Sequence, residues 1–558
     1  MSKSDSNTAS SLEDSQSRTS SNYPDQHTAI SRRSIMKIAG ASGVAGLIGS
    51  QSSTVAAEEG SDEFDPIEAS VSDVIISITE GDETAHSVTK KYLERIEEYD
   101  DVLNTIITLN PDALDRADEL DDELADSGPV GPLHGVPIIL KDNLDTADMP
   151  TSAGSKILED SVPPEDAFIV KQLREAGAIV LGKSNMDEWA HGGAPGGGYS
   201  SLGGQTLNPY NTDRGPAGSS GGSGAAPAAN LGVLAIGTDT GGSVRGPVAA
   251  NGLVGIKPTL GLPSRTGIIP FSTNLDVPGP MTKSVSDAAI VLGVIAGVDP
   301  DDPKTYQGIG KTREDYTKYL NQDELAGARI GFSHDFLGGN PEIDEKIETA
   351  VSDMQQSGAT IIDSVEFPTE MLESIGDIYF PIVETELKHY LGEYFESLGD
   401  DAPVESLEDV IEISSESDFP IDNSVLERLE SAQDRGPLTD NDYLQTLESG
   451  RGMLQRIVDQ IMEENQLDAL VAPTSDCPAE PIDPDSDTTC ESTPFRTAIA
   501  NITGYPEVSV PAGFTSDGLP VSVSFFGRPF SEPQLLKLAY SYEQKTEHRA
   551  PPEEFGSL

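Results

Sequence analysis

Short unbroken apolar runs recur along this chain, and each is set off by an amphipathic stretch or a glycine turn. That alternation constrains the fold more than any other feature. The runs "VPIIL" (136–140), "AIVL" (178–181) and "VLAIG" (233–237) are too short for buried helices and read as strands buried on both faces. Between and before them apolar residues recur at helical spacing. Val74, Ile75 and Ile78 mark one amphipathic helix, and Val88, Tyr92, Leu93 and Ile96 mark a second. "LNTIITLN" predicts a strand, "DALDRADELDDELA" a solvent-facing helix, and "FIVKQLREAGAIVLGK" a helix, a turn and a strand. Residues 300–470 read as helical and acidic, closed by a helix and a strand in "MLQRIVDQIMEENQLDALVAP". Strands return in "PEVSVPAGF" and "GLPVSVSFFGR" before a last helix, "SEPQLLKLAYSYEQKT". The pattern predicts an α/β fold, a single large domain with a mixed central β-sheet covered by helices. With no repeat and no long low-complexity linker after residue 60, one catalytic-sized domain is expected over 58–558.

Residues 1–57 stand apart. The first thirty are rich in Ser, Asp, Thr and Gln and are expected to be disordered. Arg32 and Arg33 then precede a short Gly/Ala-rich apolar run and a small-residue stretch ending near Ala57. That order fits a signal peptide of the twin-arginine type, so the protein is expected to be exported, extracellular or at the cell surface, and to remain cytoplasmic if the leader is not used. The apolar run is too short and too glycine-rich to span a membrane. Charge points the same way. With 35 basic and 95 acidic residues the net charge is −60, which repels nucleic acid and anionic membranes. Such self-repulsion calls for screening, and the screening length falls to about 3 Å in 1 M salt, so the acidic surface reads as a halophilic adaptation. The two cysteines, Cys477 and Cys490, form no CxxC pair, and no zinc site is expected. A disulfide and two free thiols both stay open.

Chemistry concentrates in two serine- and glycine-rich segments, "GPAGSSGGSGAA" (215–226) and "GTDTGGSVRGP" (237–247). A flexible linker does not fit, because a helix and a buried strand enclose the first segment. A phosphate-binding loop does not fit either, since no lysine follows the glycines in G-x-x-x-x-G-K-[ST] order. "GSSGG" satisfies G-x-S-x-G around Ser220, but polar, turn-rich "NPYNTDRGPA" precedes it where a hydrolase elbow needs a buried strand. His334, His389 and His548 follow without a catalytic setting. A lysine base is the remaining serine chemistry. Such a lysine has to be buried to be neutral near pH 7, and Lys141 ends the apolar run "VPIIL".

Three segments, "GVPIILKDN", "GPAGSSGGSGAAPAA" and "GTDTGGSVRGPVAANGLVGIKPTLG", resemble the defining segments of the amidase signature family, the Ser-cis-Ser-Lys amidases. The resemblance runs over residues 66–552. It implies Ser243 as nucleophile, Ser219 as a bridging serine joined through a cis peptide bond, and Lys141 as base. Gly241 and Gly242 let the chain approach a substrate closely, so the N–H groups of Thr240, Gly241, Gly242 and Ser243 are expected to form an oxyanion hole. Ser220 is expected to support the relay by hydrogen bonding, and Asp239 with Arg245 resembles the family's structural polar pair. The implied function is cleavage of carboxylic amide C–N bonds through an acyl-serine intermediate, with no cofactor and no metal. "KSNMDEWAHGGAPGGGYSSLGGQTLNPYN" and "GIIPFSTNLDVPGPMTKSVSDAA" look closer to the peptide amidase branch, whereas "GTDTGGSVR" follows the general family pattern. The alternatives are the glutaminase component of a transfer-RNA-dependent amidotransferase, which the export signal opposes, and a non-catalytic amide-binding protein of the same fold. The partner expected is a small-molecule or peptide amide, not nucleic acid or membrane.

Overall fold

Capping chemistry starts the first helices where the apolar spacing places them. Ser70 and Asp73 form a reciprocal capping box at helix Val71–Glu80, which Gly81 ends in the left-handed region at φ 87°. Thr84 and Ser87 do the same for helix Ala85–Leu103. The periodic residues Val74, Ile75, Ile78, Val88, Tyr92 and Ile96 are buried, as the spacing predicts. The computed structural model describes residues 64–556 apart from 193, 417, 484–489 and 491–495. The expected leader, residues 1–57, lies outside the described residues.

Thirteen strands occur among the described residues: β1 Ile106–Leu109, β2 Pro137–Lys141, β3 Ile179–Ser184, β4 Tyr199–Ser200, β5 Gly204–Gln205, β6 Leu234–Asp239, β7 Val254–Lys257, β8 Val277–Thr282, β9 Arg329–Phe332, β10 Thr360–Ile362, β11 Ala469–Pro473, β12 Glu507–Phe514 and β13 Pro520–Phe526. All but the short β4–β5 ribbon join one 11-stranded sheet in the order β1-β3-β2-β6-β8-β7-β12-β13-β11-β9-β10. β2 runs parallel to β3 and β6, while β6–β8, β7–β8, β7–β12 and β12–β13 are antiparallel. The mixed sheet of a single α/β domain is thus observed.

Two parts of the sheet depart from the sequence reading. The acidic 300–470 region is helical except for β9 and β10, which pair parallel with each other, while β9 also pairs with β11 at the far edge. β8 is the second departure. Its Pro278 and Pro280 lack donors, yet they stand opposite Thr238 and Ile236 of β6, inside the sheet rather than at its rim. A run with two prolines carries no strand signal of its own; its neighbours place it.

Helices cover both faces. One apolar cluster joins helices Val71–Glu80 and Ala85–Leu103 to β2, β3 and β6. Another joins Trp189 and Phe271 to the long helix Thr369–Leu398. A third packs helices Pro341–Gln356 and Glu532–Thr546 on β7, β9 and β11–β13. β2 and β6 lie side by side in the sheet, and their C-terminal ends deliver Lys141 and Asp239 to one place. Strand ends of an open α/β sheet are where such folds build sites.

Candidate functional site

Lys141 is the last residue of β2 and is fully buried. Its Nζ donates to Ser219 Oγ at 2.8 Å and to Thr238 Oγ1 at 2.9 Å, and Asn143 Nδ2 donates to the same threonine oxygen at 3.0 Å. Burial pulls its pKa down to about 7, against the opposing pull of Asp187, Asp239 and Asp276. A lysine among hydroxyls, with no carboxylate in ion-pair contact among the described residues, is a base close to neutral pH.

Ser219 follows a cis peptide bond from Gly218 and is 2% exposed. Ser220 does not touch the lysine. Its Oγ donates to the Thr238 carbonyl at 3.2 Å and accepts from the Thr238 N–H at 3.4 Å. The support expected of it therefore goes to β6, tying the serine loop to the strand whose Thr238 side chain receives Lys141.

The loop between β6 and helix Arg245–Ala250 carries Ser243, which is half-buried. Asp239 organises that loop. Its carboxylate accepts from Gly242 N at 2.9 Å, Val244 N at 3.1 Å and Asn501 Nδ2 at 2.9 Å. Arg245 Nε and Nη2 donate to the two carboxylate oxygens at 3.0 and 2.9 Å, Arg245 Nη1 reaches Glu507 Oε2 at 2.7 Å, and all three side chains are buried. Burial works against the Asp239 carboxylate, but the guanidinium outweighs it and holds the pKa well below the usual carboxylate range. Asp239 and Arg245 are thus ion-paired, and Asp239 holds the loop that carries Ser243.

This geometry corrects the expected oxyanion hole. The Gly242 N–H is taken up by Asp239, so of the four expected donors only Thr240, Gly241 and Ser243 have N–H groups without a protein acceptor among the described residues. Gly242 serves the loop by its conformation instead. Its φ is +131°, and a Cβ there would stand 2.8 Å from Thr497 Oγ1. Thr497 in turn donates to the Gly241 carbonyl at 2.6 Å.

Ser219 and Ser243 line one cleft of about 550 Å³. No hydrogen bond joins their hydroxyls in this structure; such contacts commonly tighten only with substrate bound. Phe271, Tyr379 and Val383 give the cleft an apolar wall, and Asp187, His191 and Arg428 give it polar groups. Cys477 also lines it and is joined to Cys490 by a disulfide, which settles the pairing left open by the sequence. Among the described residues no cluster of His, Cys, Asp or Glu could hold a metal ion, and no helix is long and apolar enough to cross a membrane.

Sequence reasoning missed Thr238, Asn143, Asp187, Asn501 and Glu507. Thr238 and Asn143 flank motif residues already named, so proximity in sequence could have found them. Asn501 and Glu507 come from the other end of the chain and carried no such signal.

Comparison with known proteins places these residues in a wider set. A family model described as amidase matches residues 87–536. The peptide amidase of Stenotrophomonas maltophilia superposes with a TM-score of 0.81 at 41% identity, covering 87% of this chain and 98% of that one. A glutamyl-tRNA(Gln) amidotransferase component from Thermoanaerobacter pseudethanolicus is 36% identical over 479 residues, 85% of this chain and 95% of its own length. A probable amidase of Arabidopsis thaliana is 35% identical over 509 residues, 87% of this chain and 91% of its own.

Proposed function

The chain belongs to the amidase family, and we propose that it hydrolyses amide C–N bonds through an acyl-enzyme on Ser243. Lys141, neutral, takes the proton of Ser219, and Ser219 takes that of Ser243 as the Ser243 oxygen attacks the amide carbonyl. The tetrahedral oxyanion lies among the N–H groups of Thr240, Gly241 and Ser243, where one donor typically contributes about 3 kcal/mol to lowering the barrier. The proton returns through the same groups to the departing nitrogen as the C–N bond breaks. Water then adds to the acyl-serine, gives its proton to the relay and releases the carboxylic acid. The observation that carries this reading is the 2.8 Å contact of buried Lys141 with Ser219 in the cleft that Ser243 also lines.

For substrate, C-terminally amidated peptides are the first choice. The likeness to a peptide amidase at a TM-score of 0.81 and a cleft of about 550 Å³ with an aromatic wall support it. A glutaminase role in a transfer-RNA-dependent amidotransferase is the second reading, supported by relatives such as the one 36% identical. The test is ammonia release from a C-terminally amidated dipeptide, a simple aliphatic amide and glutamine, in molar KCl. Release from the dipeptide alone supports a peptide amidase, release from both amides a broad one, and release from glutamine alone overturns the first choice. Loss of turnover in a folded Ser243→Ala variant supports the nucleophile, and retained turnover refutes it. Export by the twin-arginine-type leader belongs to the same reading, and an Arg32→Lys/Arg33→Lys variant that still leaves the cell refutes it.

A further inference from the structure

Asp187 lies just beyond the end of β3, and both its main chain and its side chain meet the Gly218–Ser219 unit. Its backbone N–H donates to the Ser219 carbonyl at 3.0 Å, and two residues earlier the Asn185 carbonyl accepts from Gly222 N–H at 2.9 Å. The 185–187 segment therefore grips the serine loop at two points on either side of Ser220. The carboxylate packs on Gly218 so closely that a Cβ there would overlap it. Its Oδ1 also accepts from the N–H of Gly198. Gly197, beside that residue, lies so near the serine loop that a Cβ would stand 2.7 Å from the Ala217 carbonyl carbon. Three segments of chain thus converge on one carboxylate that is 3% exposed and lines the cleft.

We infer, on the premise of the relay proposed above, that Asp187 is a positioning residue for it: Asp187 fixes Ser219 against Lys141 and supplies a negative charge without an ion-pair partner beside that lysine. The other charges facing Lys141 are Asp239 and Asp276. Asp239 is neutralised by Arg245. Asp276 accepts from Thr240 Oγ1 at 2.6 Å and from the N–H groups of Phe271 and Ser272. Asp187 itself faces Lys141 and Arg428, and no cation is in ion-pair contact with it among the described residues. Burial raises its pKa to about 6, against the opposing pull of the Gly198 N–H and Lys141. An anion there favours the ammonium form of Lys141, and removing it lets the lysine lose its proton at lower pH.

Asp187→Asn tests this, because the carboxamide keeps the shape and an oxygen for Gly198 while losing the charge. The first readout needs no amide. Ser243 is labelled with a fluorophosphonate: its oxygen attacks phosphorus, the P–O bond forms, the P–F bond breaks, fluoride leaves, and the serine proton passes through Ser219 to Lys141. The labelling rate of the wild type rises with pH to a midpoint set by Lys141, and Ser243→Ala is the unlabelled control. The midpoint in Asp187→Asn is expected to fall by roughly half a pH unit or more, with KM for an amide substrate within about twofold of wild type. Asp187→Glu, which keeps the charge, is expected to retain the wild-type midpoint even where its labelling is slower. An unchanged midpoint in Asp187→Asn overturns the inference, whether the rate falls at every pH or KM rises instead. A wild type that is labelled at Ser243 but turns over no amide refutes the hydrolase reading and leaves this one standing.

Discussion

Lys141→Met should make the protein more stable at neutral pH while abolishing turnover. Lys141 has no exposed surface, and its pKa falls from 10.5 to about 7 on folding. Because the unfolded chain binds that proton more tightly, stability is lost as pH falls from about 10.5 towards 7 and levels off below. At 1.36 kcal/mol per tenfold change in proton affinity, the penalty at pH 7 is about 4 kcal/mol. Methionine removes it at nearly constant volume. The substitution also removes the donor to Ser219 Oγ and Thr238 Oγ1, costing about 1 kcal/mol each, although Thr238 keeps Asn143. A net gain of roughly 2 kcal/mol at pH 7 follows, shrinking and then reversing as pH approaches 10. Urea unfolding of both proteins in molar KCl, at several pH values between 6 and 10, measures the gap. A gap that does not narrow with rising pH, or a variant less stable than wild type at pH 7, refutes the reasoning.

The same lysine sets the rate profile: kcat/KM should rise with pH through about 7 and fall about tenfold per unit below it, as a stopped assay across pH 5–9 would show. Arg245→Leu leaves Asp239 buried without its cation, while Glu507 keeps Arg496; a loss of about 3–5 kcal/mol is expected from urea unfolding, with part recovered when Asp239→Asn is added. The net charge of −60 predicts a urea midpoint that drops when KCl is lowered from about 2 M to about 0.1 M, where the screening length grows to about 10 Å. A midpoint indifferent to salt counts against the halophilic reading.

By itself the sequence determined the elements whose cause is local. A buried strand needs only a run such as "VPIIL", an amphipathic helix needs only a spacing such as that of Val74, Ile75 and Ile78, and both were legible because their physics acts over a few neighbours. The serine segments and Lys141 could be named for the same reason, since glycine spacing and motif order are written along the chain. The tertiary structure alone decided what depends on the sheet order. β8, with two prolines, is a strand because β6 and β7 flank it, and β9 and β10 exist because β11 offers an edge. The Gly242 N–H donates to Asp239 rather than standing free for an oxyanion, a choice settled by where one carboxylate sits in space. Arg245 could be seen beside Asp239 in sequence, but Glu507 and Asn501 come from more than 250 positions away to meet it. Low-dielectric burial and the convergence of distant loops, on which the pKa of Lys141 and the place of Asp187 both depend, are properties of the packed molecule. No segment of the chain carries them alone.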